Sequence, residues 1–466
     1  MSYLTATQRS ILESAVKKAR KVSEAGARNA LQTLAVNSPD PFAHMSSEQK
    51  SLRNRLRSKG RLLGDELSTG GPQEIKHIST ELAYDYWHKM LFARFLEANG
   101  LLIHPSGVAV SLEECEELAK EEGYADKWTA ASHYASVMLP AIFRPQDPLM
   151  QVEFAAEDRI KLETILNDIE YSIFTSEDSL GWVYQYWQSE VKDVINKSGD
   201  KIDGEKLPAV TQLFTEPYMV NFLIDNTIGA WWVSRHPGDT PPVNFKYLRL
   251  HDNGTPAAGK FESWPDRTAE ITMLDPCMGS GHFVVSVFQI LIPLRMLEEN
   301  LSKEKATYKV ITENLHGLEI DPRCTQIAAF NLALAAWKFC GKYWELPEMN
   351  LACCGIAPKG KKEDWIKLVG RIERTDDKAR MENGMKELYD HFQLAPELGS
   401  LLDPSSIKAD AFTASFEELR PVLLKALAEE KDKDLLERGV IAAGIAKAGE
   451  ILSNKYVLQI TNVPYL

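Results

Sequence analysis

The 466-residue sequence has no CxxC pair among its six cysteines, no internal repeat and no low-complexity tract. It also has no apolar run of the roughly 18 to 20 residues that a membrane-spanning helix needs. Each absence narrows the reading. Without paired thiols at ligand spacing, Cys115, Cys277, Cys324, Cys340, Cys353 and Cys354 are expected to be free, mostly buried thiols, with no structural zinc and no metal site of any kind. The opening "MSYLTATQRS" has neither an apolar core nor a small-residue cleavage pattern, so a cytoplasmic location and no membrane partner are expected. An excess of positive charge is missing too: the net charge of -13 argues against a protein that coats nucleic acid along its whole surface. A content of 44% hydrophobic and 26% charged residues is that of a soluble globular chain, long enough for two or three domains.

Basic charge is concentrated at the front. Through Arg61 there are twelve Lys and Arg against four Asp and Glu, a local balance of +8. An arm for a polyanion and a solvated helix face both fit this. Residues 1–205 read as helical. "TATQRSILESAVKKARKVSEAGARNALQTLA" is one long helix, "SSEQKSLRNRLRSKGRLL" opens on a capping box from Ser46 to Gln49, and "STELAYDYWHKMLFARFLEANG" runs from a Ser79 or Thr80 cap to Gly100. Its aromatic residues, and those of "SLGWVYQYWQSEVKDVI" from Ser179, are expected in a core rather than stacked on bases. The polar "NKSGDKIDGEK" (Asn196 to Lys206) reads as a linker.

Beyond it, short apolar strands alternate with helices of 15 to 20 residues, the pattern of a parallel sheet with crossover helices. The strands are "ITMLDP", "NLHGLEID", "MNLACCGIA" and "KYVLQIT", and residues 359–452 are a charged helical insertion before the last. "LDPCMGSGHF" carries the strongest chemistry. A strand ends at Asp275, turns through Gly279 and Gly281 and enters a helix at His282, so backbone N–H groups at a helix start can face an anionic ligand. Glu319, 38 residues after Gly281 at the end of the next strand, is placed to meet a ribose diol, while Asp321 and Pro322 fit a helix cap.

These motifs resemble S-adenosylmethionine-dependent DNA methyltransferases that act on N6 of adenine. "DPCMGSGHF" is similar to their cofactor loop, and "GLEIDP" to their second-strand motif. "TQLFTEPYMVNFLIDNTIGAWW" resembles the segment that precedes that loop, where a Thr-Pro pair borders the methionine end of the cofactor. The matching residues are Phe214, Thr215 and Pro217, with Glu216 inserted. "TNVPY" resembles the catalytic loop, Val463 standing for its first proline. The resemblance implies that the Asn462 carbonyl and a backbone carbonyl beside Pro464 accept the amine hydrogens of adenine, and that Tyr465 stacks on the flipped base. It also implies that Phe214, Thr215, Pro217, Asp275, Cys277, Gly279, Gly281 and Glu319 hold S-adenosylmethionine. Gly355 and Ile356 stand where the family has the contact to the adenine amine of the cofactor, with Asp403 a second possibility.

The run of phrases from residue 175 onward is most similar to the PglX methylases of bacteriophage-exclusion (BREX) systems and to the adenine methylase of DISARM defence islands. The expected fold is therefore α/β. It is a Rossmann-like sheet with about four of the family's seven strands, preceded by an all-α domain. The expected boundaries are 1–205, 206–358, 359–452 and 453–466. Double-stranded DNA is the implied partner. An ending on the catalytic loop suggests a chain insufficient by itself, completed by a C-terminal complement or by other defence-system proteins.

Two further patterns compete for the function. "GIAPKGKK" has phosphate-loop spacing, but Lys362 replaces the metal-binding hydroxyl. "DELSTGGPQEIKH" offers Asp65, Glu74 and Lys76 in a nuclease-like array, which would make this a restriction-modification fusion. A non-catalytic docking module of a defence complex is the remaining alternative.

Overall fold

Two capping boxes open the computed structural model of this chain. Thr5 caps the helix Ala6–Thr33 and Ser46 caps the helix Ser47–Leu63; in each, the Gln three residues on returns a hydrogen bond to the cap. The structure describes residues 3–463 apart from 145–146, 200, 203, 205, 212–213, 370–374, 408 and 430–432. The chain divides into two compact units, Met1–Glu190 and Val191–Leu466.

The first unit is helical. Its core is aromatic: Tyr84, Trp87, Phe92 and Phe95 from the helix Lys76–Ala98 are buried with Tyr184 and Trp187 from the helix Ser179–Ser198. Tyr84 meets both partners edge to face, at 6.0 Å and 5.8 Å between centroids. These rings pack, as the sequence suggested, and are not available to bases.

Two details differ from the sequence reading. The helix expected to start at Ser79 or Thr80 starts at Lys76, because its cap is remote in sequence. Asp65, 3% exposed, accepts from the N–H of His77 through Oδ1 (2.7 Å) and from Ile78 through Oδ2 (3.1 Å). Each of its oxygens thus accepts from the backbone, so Asp65 serves as a helix cap. The basic front is also partly internal. Buried Arg53 donates to the carbonyls of Ala35, Ser38 and Pro39, and buried Arg57 to those of Val36 and Gly71. These charges tie loops together instead of facing a polyanion.

The second unit is α/β. Strands β1 (Met273–Asp275), β2 (Leu315–Glu319), β3 (Leu351–Cys353) and β4 (Leu458–Gln459) form one parallel sheet in the order β3-β2-β1-β4. Met273 pairs with Leu315 on one side and Leu458 on the other, and Glu319 pairs with Cys353. Parallel pairing demands crossovers, supplied by the helices His282–Glu299 and Pro322–Cys340, whose apolar faces close a core around Phe283, Val287, Leu291 and Leu332. Asp321 caps the second crossover helix through the N–H of Arg323 (2.9 Å), with Pro322 in its first turn, as expected.

Between β3 and β4, the helices Thr375–Phe392, Phe416–Glu429 and Lys433–Ser453 accompany a separate apolar cluster that includes Trp365, Met385, Phe392, Phe416 and Ile445. The chain steps outward from β1 to β3 and returns to β4 on the other side of β1. That reversal opens a crevice at the carboxyl ends of β1 and β4, the place where open α/β sheets hold ligands. Among the described residues no helix is long and apolar enough to cross a membrane.

Candidate active site

Asp275 ends β1 and the chain turns at once. Met278 donates its N–H to the carbonyl of Leu318 (2.9 Å) and Gly281 donates to Met278 (2.8 Å), which pins the turn to β2. Gly279 and Gly281 have φ of 54° and 81°, the left-handed region open to glycine. A Cβ on Gly281 would also lie 3.0 Å from Cβ of Ala328 on the next crossover helix. The glycines thus let the turn close against that helix. Gly281 leads into the helix His282–Glu299, which has no side-chain cap, and the space beside Gly279 is open to 4 Å. The result is a cradle at a helix start, suited to an anionic or polar ligand.

Glu319 reaches this turn from the end of β2. Its Oε2 accepts from the Gly279 N–H at 2.8 Å and its Oε1 from the N–H groups of Ile320 (2.9 Å) and Asp321 (3.1 Å). Burial nevertheless pushes its carboxyl up to about 7. Asp275, 1% exposed, accepts through Oδ1 from the Cys277 N–H at 3.2 Å. Its carboxyl is also raised by burial to about 7, against the opposing pull of the Thr461 hydroxyl. By hydrogen-bond geometry, Oδ2 of Asp275 has no partner among the described residues, and the Thr461 hydroxyl is the donor nearest to supplying one. A buried carboxylate oxygen left in this condition is costly unless a ligand completes it. Two protonatable carboxyls, one with open acceptor capacity, therefore flank the glycine turn.

The loop after β4 comes to the same place. Ile460 donates to the Leu274 carbonyl at 3.1 Å, which carries the chain past the end of β1. Two residues later, Asn462 Nδ2 donates to the Thr215 hydroxyl at 3.1 Å. Thr215 is held in turn: the His282 Nδ1 donates to its carbonyl at 2.9 Å, and Phe214 stacks on the His282 ring at 4.7 Å with the planes 8° apart. Because a carbonyl only accepts, the His282 proton sits on Nδ1. Pro217 is buried at the first turn of the helix Pro217–Ile224 and fixes how the segment enters it.

Of the residues singled out in the sequence, Phe214, Thr215, Asp275, Gly279, Gly281, Glu319 and Asn462 converge on this crevice. Cys277 is half-buried in the turn, its thiol pushed up to about 11 by burial and 3.9 Å from the Ser400 hydroxyl; at neutral pH it is no nucleophile. Gly355 lies beyond β3 and presses against Ile320, while Ile356 packs with the apolar cluster of the insertion. Pro464 and Tyr465 lie outside the described residues.

Three participants were not singled out: His282, Thr461 and Ser400. His282 had a signal, since it directly follows the second glycine at the start of a helix. Ser400 had none.

The chain is similar to known proteins in this region. The model of the MmeI DNA-methyltransferase domain family matches residues 252–352, from before β1 through β3. The adenine-specific methyltransferase PglX of Lacticaseibacillus casei is 24% identical over 478 aligned positions, covering 91% of this chain and 38% of its own length. The adenine-specific methyltransferase BrxX of Escherichia coli is 24% identical over 454 positions, covering 82% of this chain and 36% of its own. The chain thus spans well under half the length of these relatives. A solved DrdV–DNA complex aligns over 98% of the chain at 11% identity with a TM-score of 0.37, too low to carry an argument. Over most of its length the chain is thus similar to adenine-specific methyltransferases of the PglX type, and between residues 252 and 352 to the MmeI methyltransferase domain.

Proposed function

We propose that the second unit binds S-adenosylmethionine at the glycine turn and presents Asn462 to the N6 amine of a DNA adenine, as part of a methyltransferase of a phage-defence system. The observation that carries this is the Asn462 Nδ2 to Thr215 Oγ1 hydrogen bond at 3.1 Å. It brings an amide from the β4 loop to the segment that His282 clamps against the glycine turn, so an amine acceptor and a nucleoside cradle share one crevice.

The residues present fit such a cofactor. The turn is open beside Gly279, Glu319 keeps a spare lone pair on Oε2, and the orphaned Asp275 Oδ2 needs a donor. When bound, the cofactor supplies a sulfonium methyl group as electrophile. The chain's own contribution is to orient the attacking nitrogen. With Nδ2 engaged by Thr215, the Asn462 Oδ1 is the atom left to accept an amine hydrogen, which localises the nitrogen lone pair for in-line attack. DNA as substrate, and Pro464 and Tyr465 as partners in holding the base, belong to this same reading.

The test is a calorimetric titration of the chain with S-adenosylmethionine, then transfer of labelled methyl to adenine-containing duplex by the chain together with the complement that completes the enzyme. Saturable binding that survives Asn462→Ala, with transfer by the completed enzyme lost in that variant, is expected. Absence of binding to folded protein would sink the reading.

A further inference from the structure

The sequence leaves open which residue meets the base of the bound nucleoside, and the structure shows the surroundings of its three candidates. Gly355 can carry no side chain, since a Cβ there would lie 2.1 Å from the Ile320 carbonyl oxygen. Ile356 is committed to the apolar cluster of the insertion, close enough that a Cβ on Gly444 would lie 2.9 Å from its Cδ1. Asp403 turns back on its own chain: its Oδ1 accepts from the N–H of Ser405 at 3.0 Å and from its hydroxyl at 2.5 Å, capping the short turn Pro404–Ser406.

Another element stands in that place. The turn Gly399–Leu401 of the insertion meets the carboxyl ends of three strands at once. A Cβ on Gly399 would lie 3.3 Å from Ile320 Cδ1, just beyond β2, and 3.7 Å from the Sγ of Cys354, just beyond β3. The Ser400 hydroxyl lies 3.9 Å from the Cys277 thiol in the turn after β1. Leu401, next along in the turn, is a large apolar side chain that is 82% exposed. Ile320 directly follows Glu319, so the turn packs one residue away from the carboxylate proposed to hold the ribose.

We infer that the turn Gly399–Leu401 is the base-end wall of the nucleoside site, with Ser400 offering its hydroxyl to the edge of a purine and Leu401 an apolar surface to its face. The inference rests on the cofactor reading above and adds to it a binding element from a segment more than a hundred residues after the glycine turn. Burying Leu401 against the ring would remove that apolar surface from water.

The full chain and its variants Ser400→Ala and Leu401→Ser are titrated calorimetrically with S-adenosylmethionine and, separately, with adenosine. Leu401→Ser is expected to weaken both ligands by about tenfold and Ser400→Ala by about fivefold, with unchanged melting temperatures. The factor is the same for both ligands because the wall touches only the nucleoside. Variants that bind like the parent, or that lose affinity for S-adenosylmethionine while keeping it for adenosine, would overturn the wall. A parent chain that binds neither ligand overturns the cofactor reading itself. Should Ser400→Ala melt early, Leu401→Ser still decides, since its side chain starts in solvent.

Discussion

Thr215 uses its two oxygens in opposite directions: the carbonyl accepts from His282 at the glycine turn and the hydroxyl accepts from Asn462 after β4. Replacing it tests whether this link sets the amide. Thr215→Val keeps the shape, removes the acceptor and leaves the Asn462 amide free to rotate, whereas Thr215→Ser keeps the bond. Losing about one net hydrogen bond, on the order of 1 kcal/mol, predicts for the enzyme completed by its complement a single-turnover methyl-transfer rate about five- to tenfold lower for Val, and near parental for Ser. Amide hydrogen exchange over residues 459–463 should quicken in the Val variant alone. A Val variant with parental rate and exchange would mean that Asn462 is oriented by something else. Local motifs marked both Thr215 and Asn462, but the bond between them spans 247 residues and depends on how the sheet brings the two segments together. The bond from the Gly279 N–H to Glu319 was legible, because a strand ending in an acid and a glycine turn after the neighbouring strand are both local patterns that a parallel sheet brings together.

At the scale of elements, the same division holds. The strands, the crossover helices and the Asp321 cap follow from periodicity and from residues adjacent to the elements they shape. The start of the helix Lys76–Ala98 was expected four or five residues too late, with its cap at Ser79 or Thr80, because the capping carboxylate, Asp65, lies eleven residues before the helix and reaches it through a turn. If Asp65 is a cap and not a metal ligand, Asp65→Ala should destabilise the Met1–Glu190 unit by about 1–2 kcal/mol, the usual cost of removing such a residue. Denaturant unfolding followed through the tryptophans of that unit reads this. The loss should be equal with and without magnesium; a magnesium-dependent difference would return Asp65 to the nuclease-like reading. The insertion shows the limit of reading elements one by one. Its helices were visible in the sequence, yet the use of the turn Gly399–Leu401 depends on where that turn lands on the sheet, which only the packed unit decides.

At the scale of the whole molecule, the parallel sheet gathers acids at one edge, and this makes stability depend on pH. Asp275 and Glu319 are raised by burial from ordinary values of about 4 to about 7. A group whose value is higher in the folded than in the unfolded state contributes stability that is full below its unfolded value and is lost as pH rises through its folded one. These two carboxyls should therefore make the chain less stable at pH 7.5 than at pH 5.5. Glu299 works in the opposite direction, held down to about 2 by hydrogen bonds from Arg295 and Lys309, but its contribution changes only as pH falls below about 4.5 and so leaves this window flat. Asp85, in the other unit, is also raised to about 7 by burial and adds a slope of the same sign. The slope due to the site is thus isolated by comparing the parent with Asp275→Asn, which should melt with a shallower dependence on pH between 5.5 and 7.5. A ligand that donates hydrogen bonds to these carboxylates favours their ionised form, so S-adenosylmethionine should bind more tightly as pH rises through 7. An affinity that is flat across that range, or that falls, would separate the buried carboxyls from the binding site and leave them as a cost of the fold alone.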